Sequence, residues 1–137
     1  MSDVNDWNTG VIAEFRANGG KVAQFGDAPL VILNTTGAKS GDRRDTPLVA
    51  LIQPDGMYVF ASKAGATTNP DWYHNIKANP EITVEYGSET FEARLTELPV
   101  EEGQQKLAEQ AALMPQFGEY VTSAAPRLIP VFSIERV

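Results

Sequence analysis

Six short runs of apolar and β-branched residues limit the folds open to this chain. None is longer than nine residues, and Gly, Pro, Asn or Asp lies close to most of their ends, which is typical of β-strands between turns. The runs cover residues 29–35, 46–53, 57–63, 82–86, 90–98 and 129–137. The later runs alternate apolar and polar positions, which indicates one buried face. The pattern predicts a mainly antiparallel sheet of about six strands, the first three of them arranged as a meander.

Helical patterns precede and interrupt these runs. Apolar residues recur at helical spacing at Val4, Trp7, Val11, Ile12 and Phe15. This spacing predicts an amphipathic N-terminal helix within residues 1–20, docked on the domain's own core. A second helix is predicted with Asn69 as its N-cap and Pro70 at its first position. A further helix is predicted at about 100–114, so that two or three helices follow the N-terminal one. Together these elements predict one α+β domain over residues 1–137, built on a closed or partly closed barrel.

The absence of cysteine excludes several chemistries at once. The chain has no disulfide, no Cys-ligated zinc, no iron–sulfur cluster and no thiol nucleophile. No apolar run approaches the roughly 18 residues of a membrane span, and the N-terminal residues lack the basic and apolar regions of a signal peptide. We therefore expect a cytoplasmic protein without an integral membrane segment, with peripheral membrane association left open.

Charge is distributed unevenly along the chain. The formal net charge is −7, which disfavours nucleic acid as a partner. Residues 1–80 carry 7 basic and 8 acidic side chains, a net charge of −1, whereas residues 81–137 carry 4 basic and 10 acidic, a net charge of −6. A site for an anionic ligand is therefore expected in the first half.

Residues 36–45 form one candidate anion site, because about ten residues exceed the length of a tight hairpin turn. Lys39 and Arg44 supply positive charge, Ser40 offers a hydroxyl, and Gly41 allows the backbone to approach a ligand. The spacing is neither that of a Walker P-loop nor that of a nucleophile elbow. From these residues alone, an anion cradle and a solvated basic turn are equally supported.

The strand-to-helix segment 61–73 is a second candidate. Its small residues allow a planar ligand to lie on the backbone, and N–H groups at the start of the following helix can meet oxygen atoms. Trp72 by itself is better explained as a core residue. His74 is the only histidine, and no pattern of metal ligands surrounds it, so no metal site is predicted.

Three blocks, taken in order, carry a resemblance to a known family. They are Thr36-Gly37-x-Lys39-Ser40-Gly41-x-x-Arg44-x-x-Pro47-Leu48, Ala61-Ser62-Lys63-x-Gly65, and Asn69-Pro70-x-Trp72-Tyr73-x-Asn75-x-x-Ala78-Asn79-Pro80. Over roughly residues 7–137 the chain resembles the deazaflavin-dependent nitroreductases and quinone reductases of actinobacteria. The resemblance implies a split β-barrel related to FMN-binding flavin reductases. It also implies that coenzyme F-420, an 8-hydroxy-5-deazaflavin, is the hydride donor to quinones, nitroaromatics or other activated conjugated acceptors.

The resemblance also implies roles for particular residues. The cofactor-binding set carried over by position is Lys39, Ser40, Gly41, Arg44, Pro47, Ala61, Ser62, Lys63, Gly65, Trp72 and Asn75. Lys39 and Arg44 would hold the phosphate and acidic tail, residues 61–65 would line the deazaflavin ring, and Trp72 and Asn75 would form the pocket wall. Hydride transfer is supplied by such a cofactor, so the protein needs no nucleophile.

At the acceptor end, the resemblance implies a substrate pocket of Val49, Met114, Phe117 and Tyr120, with Tyr120 as the catalytic residue. The nitroimidazole-activating member of the family is rich in tyrosine here, whereas only Tyr120 keeps a hydroxyl in the stretch 114–120 of this chain. A quinone is therefore the expected acceptor, because solvent can supply the proton. Two alternatives stay open: an FMN-dependent enzyme on the same barrel, and a deazaflavin-binding protein without turnover. The absence of a long apolar edge strand favours a monomer.

Overall fold

The computed structural model describes residues 3–26 and 28–137. Within these ranges the chain forms four α-helices: α1 Asp3–Ala17, α2 Asp71–Ala78, α3 Val100–Leu113 and α4 Gln116–Ala124. Seven strands accompany them: β1 Leu30–Thr36, β2 Arg43–Val49, β3 Leu51–Gln53, β4 Gly56–Phe60, β5 Glu81–Tyr86, β6 Glu89–Glu97 and β7 Val131–Arg136. Short 3-10 turns lie at Ala23–Phe25 and Lys63–Gly65. The predicted α+β class is confirmed.

The seven strands form one curled antiparallel sheet in the order β2-β1-β5-β6-β7-β4-β3. Strands β2 and β3 lie at opposite edges of this sheet, although only Ala50 separates them in the chain. Because one continuous segment supplies both edges, the sheet must curl until the edges approach each other. This geometry agrees with the predicted split barrel.

The predicted meander is wrong in one respect. Residues 46–53 were expected to form a single strand, but the chain leaves one edge of the sheet and joins the other at Ala50. Ala50 is buried, and its N–H donates to the carbonyl oxygen of Pro29 at 2.9 Å. The apolar run is continuous because it stays buried through this change of edge, so hydrophobicity alone cannot show the break.

Strand β1 is apolar at consecutive positions because both of its faces are covered. Val31 and Leu33 belong to the main core cluster, whereas Leu30 and Ile32 pack against α1. Phe15 of α1 packs with Leu30 and Ile32 in a second core cluster, where it is only 1 % exposed. The predicted docking of the N-terminal helix on the core is confirmed for these residues. Residues 1 and 2 and the side chains of Val4 and Trp7 lie outside the part that the structure describes.

Helices α3 and α4 cover the opposite side of the barrel. Their side chains Leu107 and Phe117 pack with Phe60 of β4 and Val131 of β7. Helix α3 matches the helix predicted at about 100–114, and α4 raises the number of helices after α1 to three, within the predicted range. None of the helices in the described ranges has the length and apolar character needed to cross a bilayer.

Candidate functional site

The turn between β1 and β2 is shorter than predicted. Thr36 pairs with Arg43, so the basic residues at 43 and 44 belong to β2 and only residues 37–42 form the turn. The N–H of Gly37 donates to the Asp42 carbonyl at 2.7 Å, and the N–H of Asp42 donates to Ser40 Oγ at 3.2 Å. A Cβ on Gly37 would lie 2.5 Å from Ser40 Oγ, so a larger residue there would displace this hydroxyl from its place in the turn. The Ser40 hydroxyl is thus engaged within the turn.

Asn75 connects this turn to α2. Its Oδ1 accepts a hydrogen bond from the N–H of Ala38 at 2.9 Å, and its Nδ2 donates to Thr35 Oγ1 at 3.4 Å. The Thr35 hydroxyl in turn donates to the carbonyl of Arg44 at 3.2 Å. Asn75 is only 7 % exposed, and a buried amide of this kind is stabilised when both of its ends have partners. The first and third sequence blocks are therefore one structural unit.

Arg127 organises the second block. It lies between α4 and β7 and donates to the carbonyl oxygens of Ala61 at 3.0 Å and Ser62 at 2.9 Å, and to that of Ala66 at 3.1 and 2.7 Å. A further bond runs from Nη1 to Asn69 Oδ1 at 2.7 Å. Burial lowers the pKa of this guanidinium, which nevertheless stays protonated.

The bond to Asn69 corrects a prediction. Asn69 is not the N-cap of α2, and its side chain instead accepts a hydrogen bond from Arg127. Pro70 occupies the cap position without a side-chain hydrogen bond, and the helix begins at Asp71. Sequence reasoning missed Arg127 as well. The only available signal was an isolated cation in the acidic second half of the chain.

The backbone between β4 and α2 has an unusual shape. Ser62 is right-handed helical, with φ −76° and ψ −36°, whereas Lys63 has a positive φ of 49°. Successive right-handed and left-handed residues make neighbouring N–H groups converge into a concave, anion-binding nest. On the other side of the segment, a Cβ on Gly65 would lie 3.1 Å from Tyr120 Cα, and Ser123 Oγ donates to the Gly65 carbonyl at 2.8 Å. Helix α4 therefore supports this segment at close range.

A groove of about 940 Å³ runs between α1, β2 and α2. Four residues of the predicted cofactor set line it: Arg44, Lys63, Trp72 and Asn75. Trp72 serves both purposes considered for it, since it is also 5 % exposed in the core and meets Phe132 edge-to-face at 5.7 Å.

The other members of the predicted cofactor set lie outside the lining of this groove. Gly41 lines a separate, smaller cavity of about 530 Å³ beside β1 and β5. Lys39 and Ser40 are exposed on the turn, Pro47 and Ala61 are buried, and Ser62 and Gly65 lie in the segment behind Lys63. The roles of the whole set stay predictions.

Arg16 of α1 holds the groove's outer wall. Its Nε and Nη2 donate to the two Glu85 carboxylate oxygens at 2.9 and 2.7 Å, and Nη2 also reaches Asp45 Oδ2 at 3.2 Å. The hydrogen bonds from Arg16 are the main reason that the pKa of Glu85 is lowered. For Asp45, burial raises the pKa, but hydrogen bonds from Arg43 and Asn34 together lower it by more, so the net shift is downward. The network ties α1 to the sheet.

The predicted acceptor residues form an apolar group of their own. Val49, Met114, Phe117 and Tyr120 belong to or pack against the cluster beneath α3 and α4. Phe117 is 6 % exposed and meets Phe60 edge-to-face at 5.7 Å and Tyr120 at 5.2 Å. None of these four residues lines the 940 Å³ groove. The backbone of Tyr120 nevertheless lies against Gly65, in the same segment as the groove residue Lys63.

This combination of a curled antiparallel barrel and a basic groove beside a nest defines a class of small cofactor-binding barrel. The sequence profile of the F₄₂₀H₂-dependent quinone reductase family matches residues 8–136. The chain therefore belongs to that family, as its three blocks predicted. The coenzyme of the family, as its name states, is F-420 in reduced form.

Known relatives agree with this assignment. An F₄₂₀H₂-dependent quinone reductase of Mycobacterium tuberculosis (strain ATCC 25618 / H37Rv) is 37% identical over 81 residues, which cover 58% of this chain and 54% of the relative. The chain thus spans about half the length of the curated relatives that it matches. The solved structure of an F₄₂₀H₂-dependent reductase is 38% identical, with a TM-score of 0.69 over 78% of this chain and 94% of the other. A second solved structure, described as a domain-swapped dimer, is 34% identical with a TM-score of 0.71 over 97% and 100%.

Proposed function

We propose that this protein is a reductase that uses reduced F-420 as hydride donor to a quinone or another activated conjugated acceptor, nitroaromatic compounds included. The observation that carries the proposal is the groove, where Arg44, Lys63, Trp72 and Asn75 meet although they come from three separate sequence blocks. Family membership supports F-420 as the coenzyme.

The residues present fit an anionic planar ligand. The Arg44 side chain is 55 % exposed, and its nearest carboxylate oxygen, on Asp42, is 4.0 Å away. Lys63 Nζ donates to the neutral Thr68 Oγ1 at 3.2 Å, and no carboxylate oxygen of the described residues lies within 4.0 Å of it. Two such cations beside the nest at 62–63 suit a phosphate and an acidic tail. Trp72 and Ile12 supply apolar wall for a ring system.

F-420, when bound in reduced form, supplies the hydride. The chain's own residues then bind and orient the ligand, and α1 forms one wall of the groove, held on the sheet by Phe15 and Arg16. Positioning of this kind contributes much of the rate enhancement in reactions whose chemistry resides in the cofactor. The acceptor would lie near α4, where Tyr120 offers a hydroxyl as proton donor.

The testing experiment is a fluorescence titration of the purified protein with F-420 and, separately, with FMN. Menadione is then added to the complex with reduced F-420. We expect binding of F-420 and reoxidation of the reduced cofactor after quinone addition. Binding of FMN alone would overturn the cofactor assignment, and F-420 binding without reoxidation would favour the deazaflavin-binding alternative.

The oligomeric state is also a proposal. We expect a monomer, although one similar structure is described as a domain-swapped dimer. Light scattering coupled to size-exclusion chromatography measures the mass directly, and a dimer mass would contradict the expectation.

A further inference from the structure

We propose that Arg127 is a positioning residue for the segment 61–69, and that it acts by setting the direction of that segment's peptide groups. The inference rests on the proposed function, in which this segment holds F-420. Arg127 does not line the groove and contacts the segment from behind.

All of the donors of Arg127 are in use. A guanidinium has five N–H donors in a fixed planar fork, and Arg127 makes five hydrogen bonds, one from Nε and two from each terminal nitrogen. Every acceptor is a carbonyl or amide oxygen of residues 61–69. Within the described residues, no carboxylate oxygen lies within 4.0 Å of Arg127.

This choice of partners is unusual for a half-buried cation. Acidic residues outnumber basic ones in the chain by 18 to 11, and buried charges normally pair with an opposite charge. Arg127 instead takes neutral oxygens from one segment only. A role limited to neutralising charge does not explain that selection, whereas a role in shaping the segment does.

Peptide geometry links these bonds to the nest. In a planar trans peptide, the C=O of one residue and the N–H of the next point in opposite directions. Since Arg127 holds the carbonyls of Ala61 and Ser62, the N–H groups of Ser62 and Lys63 are directed away from the guanidinium. These are the amides that the backbone angles at 62 and 63 bring together as an anion-binding concavity.

The guanidinium also leaves a positive charge behind the nest that forms no ion pair with a carboxylate of the described residues. A local positive field favours an anionic ligand even in a protein of net negative charge, because distant charges are screened beyond about 8–10 Å. Geometry and charge therefore act together. A lysine at 127 would keep the charge but lose the fork.

The test compares Arg127→Lys and Ser123→Ala with the wild-type chain. Ser123→Ala removes only the hydrogen bond from its hydroxyl to the Gly65 carbonyl. It loosens the same segment by a smaller change, so it keeps the link between segment shape and F-420 affinity testable if the arginine variant fails to fold. Arg94→Lys is the matched control, because its guanidinium binds Glu81 on the exposed sheet surface. Three quantities are measured for each: melting temperature, amide hydrogen exchange in the cofactor-free protein, and affinity for F-420, with kcat and KM for reduced F-420.

For Arg127→Lys we expect exchange to rise by about tenfold in residues 61–69 alone, and the Kd and KM for F-420 to rise by about tenfold, while kcat at saturation changes little. Ser123→Ala should show smaller changes of the same kind, and Arg94→Lys none. Faster exchange across the whole chain, or an unchanged Kd with faster local exchange, would overturn the inference. If wild-type protein binds no F-420 but the local exchange still rises, the proposed function fails and the shaping of the segment by Arg127 stands.

Discussion

The cationic side chains near the groove differ in whether a carboxylate of the protein pairs with them closely. Arg16 forms a bidentate pair with Glu85, and Arg43 Nε donates to Asp45 at 2.8 Å. Arg44 has only a 4.0 Å contact with Asp42, and Lys39 is exposed on the turn. Cations without close partners retain the capacity to bind an anionic ligand. This difference separates structural arginines from the candidates for ligand binding.

The first prediction concerns these two candidates. Lys39→Ala and Arg44→Ala should each weaken F-420 binding by about 1–3 kcal/mol, the usual scale for losing a charge-assisted contact. Fluorescence titration measures the loss, with Arg94→Ala as a control that also removes an exposed cation. If both variants keep wild-type affinity, the turn and the start of β2 do not form the anion site.

A second prediction addresses Tyr120. Tyr120→Phe should lower kcat with a quinone by about tenfold or less, because a proton donor is removed but solvent can replace it, while F-420 affinity stays nearly unchanged. Phenylalanine can keep the edge-to-face contact with Phe117 at 5.2 Å, so the fold should be preserved. Steady-state kinetics with menadione measure the effect, and Tyr86→Phe on β5 is the control. Loss of cofactor binding in Tyr120→Phe would mean that its role is misassigned.

At the scale of elements, α1 is held on the barrel by two different interactions. Phe15 is buried against Leu30 and Ile32 of β1, and Arg16 connects α1 to β5 and β2. The apolar contact is independent of pH, whereas the ion pair requires ionised carboxylates. The free energy that holds α1 on the barrel therefore includes a contribution from the Arg16 ion pairs that depends on pH.

The third prediction follows from the lowered pKa of Glu85. A carboxyl whose pKa is lower in the folded state stabilises the fold above its ordinary value of about 4.5. That stabilisation is lost as the pH falls through the lowered value. Glu85→Gln should therefore cost about 0.5–1 kcal/mol at pH 7, a figure reduced because Arg16 is half exposed.

The pH dependence of the Glu85→Gln effect provides the check. Melting temperatures of wild type and Glu85→Gln should differ at pH 7 and converge as the pH falls below the ordinary value and through the lowered pKa of Glu85. Glu81→Gln is the control on the same strand, since its pair with Arg94 lies at the exposed surface and should add little stability. A difference that stays constant from pH 7 to pH 3 would contradict the assignment.

At the scale of the whole molecule, the net charge of −7 opposes an anionic ligand, whereas in the proposed function the cations of the groove and of the neighbouring turn attract it. Salt screens the interaction of charges that are farther apart than the Debye length, which is about 8 Å at 0.15 M and about 3 Å at 1 M. The attraction is a short-range effect of Arg44, Lys63 and the exposed Lys39. Its strength must still depend on salt, because these side chains are in contact with solvent.

The fourth prediction is that salt weakens F-420 binding. Raising the salt concentration from about 0.05 to 0.5 M should increase the Kd by about fivefold or more, since exposed ion pairs are screened. The double variant Lys39→Ala/Arg44→Ala should show a flatter dependence in the same titration. An affinity independent of salt would place the ligand's charged groups away from these cations.

Local patterns carried most of the predicted fold and part of the predicted site. The helices at 3–17 and 100–113 and the strands at 81–97 follow from periodicity that each segment contains in itself, and the strand at 30–36 follows from a short, continuous run of apolar and β-branched residues. The prediction was wrong at 46–53 and at Asn69, where a contact distant in sequence decides. At Ala50 the chain passes from its pairing with β1 to its pairing with β4, and the Asn69 side chain bonds Arg127 while Pro70 takes the cap position.

The sequence by itself determined the class of fold, because strand periodicity and turn residues are properties of neighbouring positions. The family and its coenzyme followed from the resemblance that its three spaced blocks carry. Only the tertiary structure decided which residues share the groove, that Asn75 joins two of the blocks, and that Arg127 holds the third. Arg127 meets Ala61 across 66 positions. A hydrogen bond between such distant positions leaves no periodic trace, since its geometry exists only once the barrel has closed.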